Sequence, residues 1–123
     1  RSGPLTSLIA FALSDDGEGI VFATPRATAK YRNMRRDSKV SLLIDSRENK
    51  GRDYLRAEAI TVFGRAKEVR QGRRWKDLAS RLISKHQALE PFITASTTSL
   101  IFVKIIRCVH VGRFQSVTVW EPA

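Results

Sequence analysis

The stretch Ile20-Val-Phe-Ala-Thr-Pro-Arg-Ala-Thr-Ala-Lys-Tyr-Arg-Asn-Met34 decides how the chain folds. Gly19–Thr24 carries four apolar residues in succession, bounded by Thr24-Pro25, and reads as a strand. The residues from Thr24 to Thr28 then form a loop rich in helix-start chemistry. Thr28 is placed to cap a short helix through Lys30, Tyr31, Asn33 and Met34 to about Arg36. Upstream, Leu5–Leu13 reads as a buried strand, and Ser14-Asp15-Asp16-Gly17 closes it with turn residues, so the two strands pair as an antiparallel hairpin.

Downstream, Lys39–Asp45 is a strand and Ser46–Asp53 a polar, glycine-bearing loop. A long strand follows from about Leu55 to Val69, with Gly64 as a bulge or close-approach point. Trp75, Leu78, Ala79, Leu82, Ile83 and His86 form one stripe at helical spacing, with His86 at the helix end. Ala88–Ala95 is a proline-containing connector. Ser99–Val111 and Arg113–Trp120 are the last strands, joined across Gly112. Most connections are too short for parallel crossovers, which need about a dozen residues. The expected fold is therefore mainly β with accessory helices: one six-stranded antiparallel β-barrel spanning residues 1–123 as a single domain.

Composition narrows the class. With 42% apolar residues in 123, the chain can bury a real core, and no apolar run approaches the roughly 20 residues of a membrane span. A single cysteine, Cys108, and two histidines cannot assemble the usual structural zinc sites, and a cytoplasmic location is expected. Arg1 in place of a start methionine suggests processing or trimming. The net charge of +10 is unevenly placed: residues 26–76 hold 16 basic and 6 acidic side chains, and the rest of the chain 6 of each. Such a surplus suits a phosphate group, a nucleic acid or an acidic partner as readily as a solvated surface.

Thr24–Lys30 is the sharpest local signal. It ends a strand, opens a helix, and offers two hydroxyls (Thr24, Thr28), a guanidinium (Arg26) and an ammonium (Lys30). Free N–H groups and the positive end of the helix dipole would add to them, making a site for a phosphate dianion. The glycines of a P-loop or a dinucleotide fingerprint are missing. Cys108 and His110 share one face of a strand, but nothing activates the thiol, and Asp15 and Asp16 read as turn residues. No acid–base machine is visible, and the catalytic residues are unknown. For a cofactor-free module binding nucleic acid or another anionic partner, the basic clusters are Arg32, Arg35, Arg36, Lys39 and Arg70, Arg73, Arg74, Lys76. Its aromatic platforms would be Tyr31 and Tyr54. Specific nucleic-acid recognition is not expected.

The runs Thr6-Ser-Leu-Ile-Ala-Phe-Ala, Ile20 to Met34 and Asp37-Ser-Lys-Val-Ser-Leu-Leu-Ile-Asp-Ser-Arg47, with Ala59-Ile-Thr-Val-Phe-Gly-Arg-Ala and Val111-Gly-Arg-Phe-Gln115 in order, resemble the FMN-binding split-barrel family related to pyridoxamine 5′-phosphate oxidase. The resemblance implies a six-stranded split β-barrel that forms a homodimer with flavin sites at its interface. It places Ser7, Leu8, Ile9 and Ala10 along the isoalloxazine ring. Thr24, Arg26, Thr28 and Lys30 would hold the ribityl phosphate, Arg47 and Asn49 are further candidates, and Arg113 and Gln115 would reach the partner's flavin. It implies a small FMN-dependent oxidoreductase or redox protein of unknown substrate, with FMN ahead of deazaflavin or haem as cofactor. A haem would take His110 as its axial ligand.

Two departures matter. Family members usually begin with a helix and a further strand before the segment matching Pro4–Phe11, so a trimmed fragment or compact variant is expected. Gly112-Arg-Phe-Gln stands where true pyridoxamine-phosphate oxidases carry an Arg-Leu-His-Asp type signature, so vitamin B6 oxidation is not expected.

Overall fold

The structure, a computed structural model, describes residues 10–14, 16–45, 59–111 and 117–121. Its elements run β1 (Phe11–Leu13), β2 (Gly19–Pro25), α1 (Ala29–Arg36), β3 (Lys39–Asp45), β4 (Ala59–Val69), α2 (Arg73–Lys85), a 3-10 turn (Gln87–Leu89), α3 (Glu90–Ile93), β5 (Thr98–Val111) and β6 (Val117–Trp120). All six strands join one antiparallel sheet in the order β1-β2-β5-β4-β3. Strand β6 pairs with the far end of β5, so β2 and β6 lie end to end along one edge of that strand. Helix α2 links two antiparallel neighbours, β4 and β5, and is not a parallel crossover. The connector expected at Ala88–Ala95 is instead mostly helical. Pro91 sits in the first turn of α3, where its missing N–H costs nothing.

The unbroken apolar run of β2 has a plain cause: both faces of the strand are covered. Ile20 and Phe22 point into one cluster with Tyr31, Val62, Ala66, Ile101, Val103 and Ile105, while Val21 joins a second with Leu78, Ala79, Leu82, Ile93 and Leu100. The first is the inside of the curled sheet, capped by α1. The second lies between the sheet's outer side and α2–α3. The stripe on α2 faces this second cluster, and His86 ends the helix with its Nε2 3.0 Å from the Phe11 carbonyl oxygen.

Turn chemistry fixes the hairpin between β1 and β2. Ser14 Oγ donates to Asp16 Oδ1 at 2.7 Å and accepts from Gly19 N–H, while Gly17 takes a φ of 70°, which a residue with a Cβ rarely adopts. The β4–β5 ladder shifts register between Phe63 and Gly64. There the two backbones approach so closely that a Cβ on Gly64 would run into the Lys104 carbonyl oxygen. The bulge expected at Gly64 is thus present.

Candidate functional site

Strand β2 delivers its last residues to the start of α1, and the turn between them is tied to β5 by Arg26 N–H donating to Thr97 O at 3.0 Å. Thr28 is the N-cap: its Oγ1 accepts from Tyr31 N–H at 3.2 Å and donates to Pro25 O at 2.9 Å. That hydroxyl is committed to shaping the helix start. Thr24 is different. It is buried, and its Oγ1 reaches Thr28 Oγ1 and Pro25 O only at 3.4 Å, longer than a normal hydroxyl bond of about 2.8 Å. It keeps hydrogen-bonding capacity for a ligand oxygen.

A cavity of about 250 Å³ opens at this point, lined by Ala10, Thr24 and Lys30 on one side and by Leu82, Phe92 and Ile93 on the other. Among the described residues Lys30 makes no hydrogen bond or ion pair, and burial lowers its pKa from the usual lysine value. A cavity at a helix start lined by a lysine, a threonine and apolar side chains suits an amphiphile with an anionic end.

Arg26 turns the other way. Its Nε donates to Ser99 Oγ at 2.9 Å, its Nη1 donates to Ser96 O, and its Nε stands 3.6 Å from Glu68 Oε2. Glu68 is the hub of this cluster: Oε2 accepts from Ser99 Oγ and Oε1 from Tyr31 Oη at 2.8 Å. Arg35 in turn donates to Tyr31 Oη at 3.3 Å. Burial alone would raise the Glu68 pKa, but the two hydroxyl bonds and the nearby Arg26 and Arg35 outweigh it and lower the value. Glu68 thus stays ionised and locks α1, β4 and β5 together beside the helix start. Sequence reasoning missed Glu68 and Ser99, because nothing local marks them. Only the register, which sets Glu68 opposite Ile101 and Ser99 opposite Thr24, brings them to one place.

Thr24, Lys30 and Ala10 therefore line one cavity, Thr28 lies 3.4 Å from Thr24 but is spent on the cap, and Arg26 is drawn to Ser99 and Glu68. Ser7, Leu8, Ile9, Arg47, Asn49, Arg113 and Gln115 lie outside the described residues. Tyr31 is buried with its hydroxyl on Glu68 and is no stacking platform, correcting that expectation; Tyr54 lies outside the described residues. Cys108 faces the interior cluster, and burial raises its thiol pKa, which keeps it protonated and unreactive. Among the described residues no group of His, Cys, Asp or Glu converges as a metal site, and no helix is long and apolar enough to cross a membrane.

The fold is that of the split-barrel proteins. It superposes on a haem-binding protein from Mycobacterium smegmatis with a TM-score of 0.74 and 17% identity, covering 92% of this chain and 51% of that one. HutZ, a haem storage protein from Vibrio cholerae, gives a TM-score of 0.66 at 14% identity, covering 89% of this chain and 71% of that one. A pyridoxinephosphate oxidase family protein from Clostridium acetobutylicum, related to general stress protein 26, gives 0.59 at 11%, with coverages of 89% and 71%. The chain thus spans about half the length of the Mycobacterium smegmatis protein. No curated protein matches the sequence. The model of the family described as pyridoxamine 5′-phosphate oxidase matches residues 1–107, and the chain belongs to that family.

Proposed function

We propose that this chain binds flavin mononucleotide, with the phosphate at the start of α1, and that it works as a homodimeric redox protein. One observation carries the reading: Lys30, which among the described residues makes no hydrogen bond or ion pair, lines a cavity together with the buried, under-bonded Thr24. Thr24 would donate to a phosphate oxygen, Lys30 would neutralise its charge, and the free N–H groups of the first turn of α1 would complete the grip. Leu82, Phe92 and Ile93 exclude water from the apolar side of the ligand. A bound flavin would supply hydride or electron transfer; the chain would supply binding and orientation.

At about 250 Å³ the cavity is smaller than a typical cofactor pocket of about 300–1,000 Å³, so a second surface has to complete it. A second copy is the economical source. Haem is less well served. His86 places its Nε2 on the Phe11 carbonyl, and His110 sits eleven residues along β5 from Ser99, roughly 35 Å in an extended strand.

The test is a parallel titration with FMN and riboflavin, followed by flavin fluorescence and absorbance. FMN binds at least about 10-fold more tightly, since each charged hydrogen bond to the phosphate contributes roughly 1.5–3 kcal/mol. Equal affinity for the two, or none for either, refutes the phosphate site, and a Soret band on adding haemin in their place assigns the cavity to haem.

A further inference from the structure

The register of the sheet gathers cations that are far apart in sequence. Lys39 pairs with Arg65 and Arg65 with Lys104, so the three lie side by side across β3, β4 and β5. Directly opposed residues of an antiparallel ladder share a face, and this one is the outer face, since Val103, Ile105 and Ala66 between them point into the interior cluster. Lys67, paired with Phe102, flanks the row on one side, and Arg107, paired with Phe63, flanks it on the other.

All five cations are exposed, and among the described residues none forms an ion pair. Strand spacing puts neighbours about 5 Å apart across the sheet and about 7 Å apart along a strand. Among the described residues, Asp16 and Glu18 lie in the turn before β2 and Asp37 lies just before β3.

Two aromatic rings lie within the stripe, each covered by an arginine. Arg107 Cζ is 4.6 Å from the centre of the Phe63 ring, and Arg74, from α2, is 4.5 Å from that of Phe102. A guanidinium laid over a ring keeps its other flat face for a base to stack on, while neighbouring lysines meet the phosphates. Carboxylates on an acidic protein would use the lysines but have no need of flat cationic platforms.

We propose that this outer face of β3, β4 and β5 binds single-stranded nucleic acid through its backbone and stacked bases, without sequence specificity. The surface is separate from the cavity at α1 and does not depend on the flavin reading.

The experiment measures fluorescence anisotropy of a labelled single-stranded oligouridylate of about 12 nucleotides against the full chain, with added salt from about 50 to 200 mM. Five phosphate contacts at about 0.7 per contact give a log–log slope near −3.5, or roughly a 100-fold loss of affinity over that range. The variant K39A/R65A/K104A lowers the slope to about −1.4. R70A/R73A/K76A removes the same charge at the start of α2 and leaves the slope near −3.5. Since the side chains are exposed, the variants should fold; K104E alone supplies the same contrast if the triple variant does not. Equal losses in the two triple variants mean adhesion by net charge and overturn the proposal. So does a polyglutamate of equal charge that binds as tightly as the oligonucleotide, which would assign the face to an acidic protein.

Discussion

Glu68→Ala should unfold the cluster beside the site, and its cost can be worked from the contacts. The carboxylate accepts from Ser99 Oγ and Tyr31 Oη, two hydrogen bonds to an ionised acceptor. In full burial each would contribute roughly 1.5–3 kcal/mol. Glu68 is 32% exposed, which discounts each bond to about 1 kcal/mol, and the contact with Arg26 at 3.6 Å adds under about 1 kcal/mol because Arg26 is half exposed. Truncation should therefore cost about 2–3 kcal/mol. With an unfolding entropy near 0.26 kcal/mol/K for 123 residues, each kcal/mol moves Tm by about 4 °C, so Tm falls by roughly 8–12 °C.

Acid supplies an independent check. The folded Glu68 pKa lies below its unfolded value of 4.5, so its stabilisation is complete above pH 4.5 and is lost as pH falls through the lower, folded value. Glu68→Gln keeps the size and removes the titration. Circular-dichroism melts from pH 7 down to pH 3 should show a smaller acid loss for this glutamine variant than for wild type. A Glu68→Ala melt within about 2 °C of wild type, or an unchanged acid slope for Glu68→Gln, refutes the hub role.

Lys30→Ala should weaken FMN by about 10–150-fold, the range for one charged hydrogen bond, while leaving riboflavin and Tm nearly unchanged; fluorescence titration and melting separate these outcomes. Arg26→Ala should weaken FMN less, because its guanidinium is held by Ser99 and the Ser96 carbonyl, and its loss should appear mainly in Tm. Gly64→Ala should cost roughly 2–4 kcal/mol in urea unfolding, since the added methyl meets the Lys104 carbonyl oxygen, and backbone there cannot move without disturbing the ladder.

What could be read from the sequence was whatever repeats within a few residues. The Thr28 cap, the Gly17 turn, the stripe on α2 and the bulge at Gly64 all declare themselves locally, and each is found where expected. The strand at β2 was legible from its apolar run, whereas its burial on both faces depends on α1 on one side and α2–α3 on the other. α3 was not, because Pro91 reads as a breaker unless it is known to fall in a first turn. Tyr31 misleads for a related reason: on a short helix rich in arginine an aromatic looks exposed, and only packing against β4 shows it buried.

The site shows the same limit more sharply. Thr24 and Lys30 are six residues apart and pair from the sequence alone, whereas Glu68 and Ser99 reach the same place from 44 and 75 residues beyond Thr24. Their presence changes what the segment means. Two cations at a helix start suggest a site with twice the positive charge, but Glu68 stands beside Arg26 and leaves Lys30 as the cation facing the cavity. One ammonium, one hydroxyl and a helix dipole favour a single phosphate group over a diphosphate, whose second group would approach the Glu68 carboxylate. An FMN-sized anion fits that balance and a dinucleotide does not, so FAD should bind less tightly than FMN to wild type, and Glu68→Gln should narrow the difference. Titration of both flavins against both proteins decides it: an unchanged ratio in Glu68→Gln removes Glu68 from the specificity of the site.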